Sequence, residues 1–339
     1  MRASVSILIV VSALLGMEGL YRWTQSDTDR LNNAPECFRL SSVNDSAEVV
    51  FFGESSNTSF APNDTTTRSI SELCARETAP WNWVSITKYA SHAGIYKFWA
   101  QQLSPKAKPR CMVITVNLRS FNADWRHSEL EPALQQSLVL YKTKSHLLNR
   151  FLLSLGFYPH SPKALEQEAL LQEWDTTVLP VQPDFKYKTV RAWDNAYANG
   201  YYLKPDGSWD MDKIQLACHY IKSYAFYINE QNSRIKDLDA LCNWALQRKI
   251  PLVFNIMAEN LDYADSLVGP ELTRLIRQNR DFIVKRYRSL NVHVLDHLES
   301  VKGSDFIDQN WTTEHYNQTG RINISKKTSQ YLLKQFSKP

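Results

Sequence analysis

The feature that most constrains the fold is a series of five short apolar runs separated by long helical patterns. The runs are Val49–Phe52, Trp83–Thr87, Met112–Val116, Leu252–Ile256 and Val292–Leu295. Continuous apolar strands are typical of a sheet that is buried on both faces. Amphipathic patterns over Ile235–Gln247, Pro270–Leu290 and Gly320–Phe336 predict helices between and after them. The sequence therefore predicts an α/β fold in which a parallel sheet of about five strands carries helices on both faces.

The N-terminus has the layout of a secretory signal or a signal anchor. Residues 5–17 carry no charge and follow Arg2. Glu18 comes next, and no small-x-small cleavage site is evident, so we predict an uncleaved transmembrane helix within residues 1–25. A cleaved signal and a buried core helix are the alternatives. Because Arg2 stays in the cytoplasm under the positive-inside rule, the domain formed by residues 26–339 is expected outside it.

Glycosylation sequons and net charge indicate where the protein is located and which ligands it does not bind. Two of the six Asn-x-Ser/Thr sequons lie inside candidate active-site segments, where a glycan would block access, and this favours the bacterial envelope. We thus predict a single-pass protein of the inner (cytoplasmic) membrane with a periplasmic domain. A net charge of +4 is too small for a dedicated nucleic-acid surface.

The five cysteines suggest one disulfide bridge. In an exported protein, Cys37 could be bridged with Cys74.

Cofactor and metal signatures are missing from the sequence. It contains no Gly-x-Gly-x-x-Gly or Walker sequence, no Cys-x-x-Cys pair and no Cys/His metal spacing. We therefore expect neither a nucleotide cofactor nor a metal.

Residues 125–230 interrupt the strand–helix rhythm and form a predicted insertion. Long excursions of this kind in α/β proteins often act as lids or substrate platforms. The segment is rich in aromatic side chains, namely Trp174, Trp193, Tyr197, Tyr201, Tyr202 and Trp209. Such rings stack on sugars in carbohydrate sites, whereas the alternative is ordinary core packing.

The first strand leads into Gly53-Glu54-Ser55, which presents a hydroxyl at the carboxyl end of the strand. Parallel sheets of the doubly wound type bind ligands at that edge. Gly53 lets the turn tighten, and the amides that follow can face the atom that the hydroxyl attacks. Ser55 is the candidate nucleophile, and a purely structural turn is the alternative.

A histidine occupies the loop that joins the last strand to the last helix. His315 is expected at the same edge of the sheet and can take a proton from Ser55, provided that a carboxylate orients its other ring nitrogen. A single loop histidine is more often a solvated surface residue. The prediction of a Ser–His pair therefore depends on finding both the serine turn and the histidine loop at the same edge of the sheet.

Together the two ends resemble the SGNH (GDSL-type) hydrolase superfamily. Gly53-Glu54-Ser55 resembles its Gly-Asp-Ser block, and His315-Tyr316-Asn317-Gln318-Thr319-Gly320 resembles its C-terminal histidine block. The resemblance implies a flavodoxin-like three-layer fold, with Ser55 as nucleophile and His315 as general base. With its N-terminal anchor, the chain is similar to envelope acyl-transfer proteins such as the alginate acetylation proteins and the D-alanyl-transfer protein of teichoic acid operons.

The same resemblance implies oxyanion donors after the second and third strands. Gly94 fits the first position loosely, and Asn117, at the end of a buried strand, fits the second position better. A polar strand cap is the alternative for Asn117. Arg119 could bind an anionic polymer or simply a surface carboxylate.

The sequence also departs from the family pattern. Thr312 stands three residues before His315, where the family has an aspartate. Asp308, seven residues before the histidine, is our prediction for the orienting carboxylate, while Glu314 is expected to point elsewhere. A Ser–His dyad and an inactive site are the alternatives.

The predicted function is a membrane-anchored serine acyltransferase or esterase for O-acyl groups, O-acetyl above all, on an envelope or exported polysaccharide. Its expected partners are the acylated glycan and a membrane-embedded acyl-donor protein. A non-catalytic glycan-binding or assembly component of a polysaccharide export complex is the second hypothesis. A hydrolase of lipids or small esters is the third.

Overall fold

A five-stranded parallel sheet forms the centre of the computed structural model, which describes residues 2–44, 46–142 and 145–337. The strands are β1 (Val49–Gly53), β2 (Trp83–Thr87), β3 (Cys111–Val116), β4 (Leu252–Ile256) and β5 (His293–Asp296). All neighbouring strands pair in parallel. The predicted parallel sheet is confirmed, and each strand lies within one residue of the apolar run that predicted it.

Helices cover most of the remaining described residues. They are α1 (Arg2–Thr24), α2 (Ser26–Asn33), α3 (Glu36–Ser41), α4 (Ser55–Thr58), α5 (Ile70–Glu77), α6 (Ala93–Gln102), α7 (Ala123–Arg126), α8 (Leu130–Leu138), α9 (His146–Ser154), α10 (Lys163–Thr176), α11 (Val190–Ala198), α12 (Met211–Tyr224), α13 (Ser233–Arg248), α14 (Leu261–Leu267), α15 (Pro270–Ser289) and α16 (Gln318–Phe336). The three helices predicted after residue 230 correspond to α13, α15 and α16.

Helices lie on both faces of the sheet because successive strand residues point to opposite sides. Val50 and Phe52 belong to the larger apolar core, which includes residues of α6, α13 and α15. Val49 and Phe51 belong to a second cluster that includes Leu332 of α16. All four side chains of β1 are essentially inaccessible to solvent. The predicted three-layer arrangement is therefore confirmed.

The strand order β2-β1-β3-β4-β5 determines where a ligand site can form. This is the flavodoxin-like order, in which the chain crosses from β1 to one side for β2 and to the other side for β3 and β4. Loops that leave β1 and β3 diverge and open a crevice at the carboxyl edge of the sheet. Ser55 follows β1 and Asn117 follows β3, so both lie at this crevice.

The predicted insertion at 125–230 is helical in the structure and contributes to the main core. Trp193 and Tyr197 of α11 are buried in the same cluster as Phe52 of β1. For these two aromatic residues the core-packing alternative holds. Tyr201 stacks on Tyr197 with ring centroids 3.9 Å apart and remains half exposed.

Helix α1 stands apart from this core. Among the described residues it is the one helix long and apolar enough to cross a membrane. The mean hydropathy of Ala3–Thr24 is 2.0, and its apolar stretch is not buried against the rest of the protein. Its length and composition fit the predicted span, of which Met1 lies outside the described residues.

The suggested disulfide bridge is wrong. Cys37 and Cys74 are both free thiols. They lie in α3 and α5 and belong to different apolar clusters, so each is buried among its own neighbours.

Leu332 and Leu333 of α16 test the contact between this helix and the sheet. Leu332 is completely buried, whereas Leu333 is 37% exposed. We expect Leu332→Ala to lower the free energy of unfolding by about 2–5 kcal/mol and Leu333→Ala to lower it by less than about 1 kcal/mol. Urea denaturation of both variants measures the difference, and equal losses would contradict the layer assignment.

Candidate active site

Three side chains form a continuous hydrogen-bonded chain at the carboxyl edge of the sheet. Ser55 Oγ lies 2.9 Å from His315 Nε2, and His315 Nδ1 lies 2.8 Å from Asp308 Oδ2. His315 and Asp308 are each about one-third exposed, so the chain opens to solvent. Asp308 Oδ2 also accepts from the Thr313 hydroxyl. Because a carboxylate oxygen accepts hydrogen bonds, the hydrogen of this pair lies on His315 Nδ1, and the Nε2 lone pair faces the serine hydroxyl.

Local structure explains how the serine is presented. Ser55 is the first residue of α4, and Glu54 precedes it in an extended conformation at the N-cap. Gly53 leaves no room for a side chain, since a Cβ there would lie 2.6 Å from the Phe51 ring. The strand can therefore turn sharply into α4 directly after β1.

The loop that carries His315 folds back on itself as a narrow hairpin. Phe306 and Tyr316 form an antiparallel bridge. The Ile307 amide donates to the His315 carbonyl, and the Asn317 amide donates to the Asp305 carbonyl, each at 2.9 Å. This pairing brings the carboxylate of Asp308 beside the imidazole although seven residues separate them along the chain.

Glu54 lies beneath the serine as a buried carboxyl group. Its Oε2 is 2.9 Å from Ser55 Oγ and accepts from the Ser56 amide at 3.0 Å. Burial, followed by the negative charge of Glu314, raises the pKa of Glu54. The Ser55 hydroxyl is therefore within hydrogen-bond distance of both Glu54 Oε2 and His315 Nε2.

A buried ion pair fixes the loop from behind. Arg119 donates through Nη2 to Glu314 Oε2 at 2.7 Å and also pairs through Nε with the other carboxylate oxygen. Although burial alone would raise it, the Arg119 guanidinium holds the pKa of Glu314 below its usual value. The Glu314 side chain is directed at Arg119 instead of His315, as predicted. Arg119 therefore binds a buried carboxylate of the same chain, whereas an anionic polymer or a surface carboxylate was expected from the sequence.

A third buried glutamate lies next to this pair. Glu259 follows β4 and accepts from the Tyr224 hydroxyl at 2.5 Å. Burial, together with the charge of Glu314, raises the pKa of Glu259 well above its usual range. Sequence reasoning missed Glu259. Its position three residues after a buried strand, at the edge that carries Ser55, was the available signal.

Asn117 and Thr312 support the same loop. The Asn117 carboxamide accepts from the Arg119 amide at 2.9 Å and also hydrogen-bonds Glu314. Its nitrogen carries two hydrogens, so one remains for a ligand. Thr312 is buried, and its hydroxyl lies 2.9 Å from Ser223 Oγ, so this residue faces α12.

Gly94 does not join this arrangement. Its amide donates to His92 Nδ1 at 3.1 Å, and the space beside its Cα is filled by Asp237 of α13. The expected oxyanion donor at this position is therefore already engaged inside the helix layer. The prediction used chain order after β2, whereas six residues separate the end of β2 from Gly94. Ser91, in that intervening segment, shares a small cavity with Asn117.

An aromatic cleft of about 760 Å³ adjoins the histidine loop. Its lining includes Trp125, Trp174, His219, Lys222 and Trp311. The His219 and Trp311 rings lie 3.8 Å apart and also line a second groove of about 910 Å³. Only Trp174 was among the aromatic residues predicted to bind sugar. Trp125 lies at the start of the predicted insertion and Trp311 lies outside it, and neither was among the predicted sugar-binding residues.

The arrangement suits proton transfer and attack by a serine hydroxyl. Among the described residues, no three His, Cys, Asp or Glu side chains are grouped so that they could hold a metal ion. The groups that meet at this edge of the sheet are the hydroxyl of Ser55, the imidazole of His315 and the carboxylate of Asp308.

Among the comparisons with known proteins, the search of solved structures found matches to 11 chains. No protein-family model matches the sequence, and no curated protein matches it significantly. A solved structure, the lipase/acylhydrolase from Enterococcus faecalis, aligns over 84% of this chain and 94% of its own, with 9% identity and a TM-score of 0.34. A TM-score this low does not establish a common fold, so the fold is assigned from the sheet topology.

The raised pKa of Glu54 predicts a specific change of stability with pH. A carboxyl group whose pKa is higher in the folded state holds its proton more tightly there, so stability falls as pH rises above the unfolded value of about 4.3. Glutamine cannot ionise. We therefore expect Glu54→Gln to gain unfolding free energy relative to the wild type above about pH 5, by about 1.4 kcal/mol for each unit by which the pKa is raised.

Urea denaturation between acid and neutral pH measures this difference. The exposed Glu77→Gln variant is the control for replacing a glutamate with glutamine. A Glu54→Gln curve parallel to the wild type would contradict the assignment of Glu54 as a buried acid with a raised pKa.

Proposed function

We propose that this chain is a serine acyltransferase or esterase of the SGNH type, anchored in the membrane by α1. The observation that carries the proposal is the hydrogen-bonded chain from Ser55 through His315 to Asp308. An imidazole held by a carboxylate and hydrogen-bonded to a hydroxyl is the arrangement that activates a serine nucleophile.

The first half of the reaction forms an acyl-enzyme. Ser55 Oγ attacks the carbonyl carbon of the acyl donor, and its proton passes to His315 Nε2. Asp308 stabilises the imidazolium through Nδ1–H. The second hydrogen of the Asn117 carboxamide can donate to the developing oxyanion, a contact worth about 3 kcal/mol in known acyl-transfer sites. The tetrahedral intermediate collapses as His315 returns the proton to the leaving oxygen.

The second half transfers the acyl group to an acceptor hydroxyl. His315 Nε2 takes the proton of that hydroxyl while its oxygen attacks the acyl-Ser55 carbonyl. Collapse of this intermediate breaks the bond to Ser55 Oγ, which recovers its proton from His315. A sugar hydroxyl as acceptor makes the protein a transferase, and water makes it an esterase.

The cleft beside the histidine loop supports a glycan as the substrate. Indole faces of Trp125, Trp174 and Trp311 offer stacking surfaces, and Lys222 adds a cation to the lining. Two grooves meet at the His219–Trp311 pair, so a polymer can extend past the loop that carries His315. We therefore propose O-acyl groups, O-acetyl above all, of an envelope or exported polysaccharide as the target.

The proposed location is the inner membrane of a bacterium, with the catalytic domain in the periplasm. The apolar helix α1 and the positive-inside rule support this orientation. Acyl donors made in the cytoplasm have to cross that membrane, and a membrane-embedded partner is the proposed source of the acyl group.

A non-catalytic glycan-binding role is the alternative. Thr312 favours this alternative, because it stands where the family has the aspartate that orients the histidine. Asp308 supplies a carboxylate to His315 Nδ1 from another position, and this observation favours the enzyme.

Fluorophosphonate labelling of the full chain tests the nucleophile, because the probe reacts with activated serines. We expect wild-type protein to be labelled and both Ser55→Ala and His315→Ala to lose labelling. Asp308→Asn is expected to slow labelling by about 10²–10⁴-fold, because the imidazole loses its favoured tautomer. Ser59→Ala, four residues along the same turn, is the control that retains labelling. Folded wild-type protein that is not labelled would contradict the proposal.

Binding of O-acetylated alginate oligosaccharides tests the cleft. Trp311 is half exposed, so Trp311→Ala removes a stacking surface without opening the core. We expect about five- to tenfold weaker binding, which corresponds to about 1–1.4 kcal/mol. Trp209→Ala, which is equally half exposed and lines neither groove, is the matched control. Equal affinities for the wild type and the Trp311→Ala variant would contradict the assignment of the cleft to glycans.

A further inference from the structure

The end of α1 is held against the catalytic domain by a carboxylate. Glu18 accepts hydrogen bonds from Ser145 Oγ at 2.8 Å and from the amides of His146 and Leu147, both at 2.9 Å. These amides belong to the first turn of α9, where backbone donors lack partners within the helix. Glu18 thus caps α9 from a different helix.

Helix α2 holds α9 from a second side. Ser26 Oγ lies 2.5 Å from His146 Nδ1, and Asp29 pairs with Arg150 Nε at 3.4 Å. The Tyr21 hydroxyl of α1 donates to the same Asp29 carboxylate. Helices α1, α2 and α9 are therefore joined by several polar contacts, and the position of α9 relative to the apolar helix is set.

The length of α1 determines how far α9 lies from the bilayer. A hydrocarbon core about 30 Å thick is crossed by about 20 helical residues. Counted from Ala3, the crossing ends near Arg22, and Glu18 lies about 6 Å before that end. Because Glu18 contacts the first turn of α9, that turn lies at the membrane surface.

Helix α9 exposes a stripe of large apolar side chains. Leu148 is 44% exposed and Phe151 57%, and Leu155, directly after the helix, is 55% exposed. Spacings of three and seven residues bring these side chains onto one face. Asn149 and Leu153 on the opposite face are buried.

The residues that follow α9 extend the same exposed apolar surface. Gly156 adopts a positive φ of 69° and ends the helix, and the Phe157 amide returns to the Leu152 carbonyl at 3.0 Å. Phe157 is 60% exposed. Aromatic residues are enriched at the level of lipid headgroups, where an apolar ring adjoins a wet surface.

We propose that the exposed face of α9, formed by Leu148, Phe151, Leu155 and Phe157, lies in the lipid headgroup region of the membrane that α1 spans. This inference depends on the proposed anchoring by α1. The bilayer is the occupant because Glu18 ties α9 to the point where α1 leaves the hydrocarbon, within the depth of about 5–10 Å that interfacial helices reach. Two contacts with the membrane, α1 and α9, then fix the orientation of the catalytic domain above the bilayer.

Photo-crosslinking of the full chain in vesicles of phosphatidylcholine and phosphatidylglycerol tests this docking. Benzoylphenylalanine is introduced in place of Phe151 and, as a matched control, in place of Leu246, which is 77% exposed on α13. We expect lipid adducts, measured by intact mass, to be about tenfold more abundant at position 151. Glu18→Ala in the first protein is expected to lower the yield severalfold, because α9 loses its cap and its tie to α1.

Vesicle flotation in carbonate separates the docking of α9 from the anchoring by α1. A chain that floats with the vesicles but crosslinks equally at positions 151 and 246 overturns the docking and leaves the anchor intact. A chain that does not float overturns the anchor and, with it, this inference. Adducts at position 151 between two copies of the chain instead of to lipid would likewise overturn it.

Discussion

The buried ion pair between Arg119 and Glu314 is the contact on which the site depends. It ties the segment after β3 to the residue beside His315, and it lies among side chains that exclude water. Loss of one partner would leave an uncompensated buried charge, a change that typically costs about 3–5 kcal/mol. Two further buried glutamates, Glu54 and Glu259, lie near this pair, and burial together with the negative charge of Glu314 raises the pKa of each.

The sheet explains why residues from opposite ends of the chain meet. Ser55 and His315 are 260 positions apart, and they lie 2.9 Å from each other because both follow strands at the same edge. Between these strands the chain adds helices α7–α12, whose buried aromatic residues join the core, while the partly exposed Trp125 and Trp174 line the cleft. The sheet thus positions Ser55, and the helical segment beside it contributes residues to the adjoining cleft.

Much of this arrangement could be predicted from local patterns. Apolar runs identified the strands, and the glycine turn with a serine after β1 identified Ser55. Asp308 could be predicted only from its chain distance to His315, while the hairpin between Phe306 and Tyr316 that brings it close is a tertiary feature. Gly94 was misassigned because the position after a strand does not reveal which way an amide points. Glu259 and Trp311 were missed because their roles depend on neighbours distant in sequence.

The central claim is that Ser55 becomes acylated with the help of His315. Rapid-quench mass spectrometry after mixing the full chain with p-nitrophenyl acetate tests this most directly, because it detects the covalent intermediate itself. The account predicts one acetyl group on the peptide that contains Ser55, and no such adduct in the His315→Ala variant. An acetyl group on another residue, or none on a folded protein, would contradict the account.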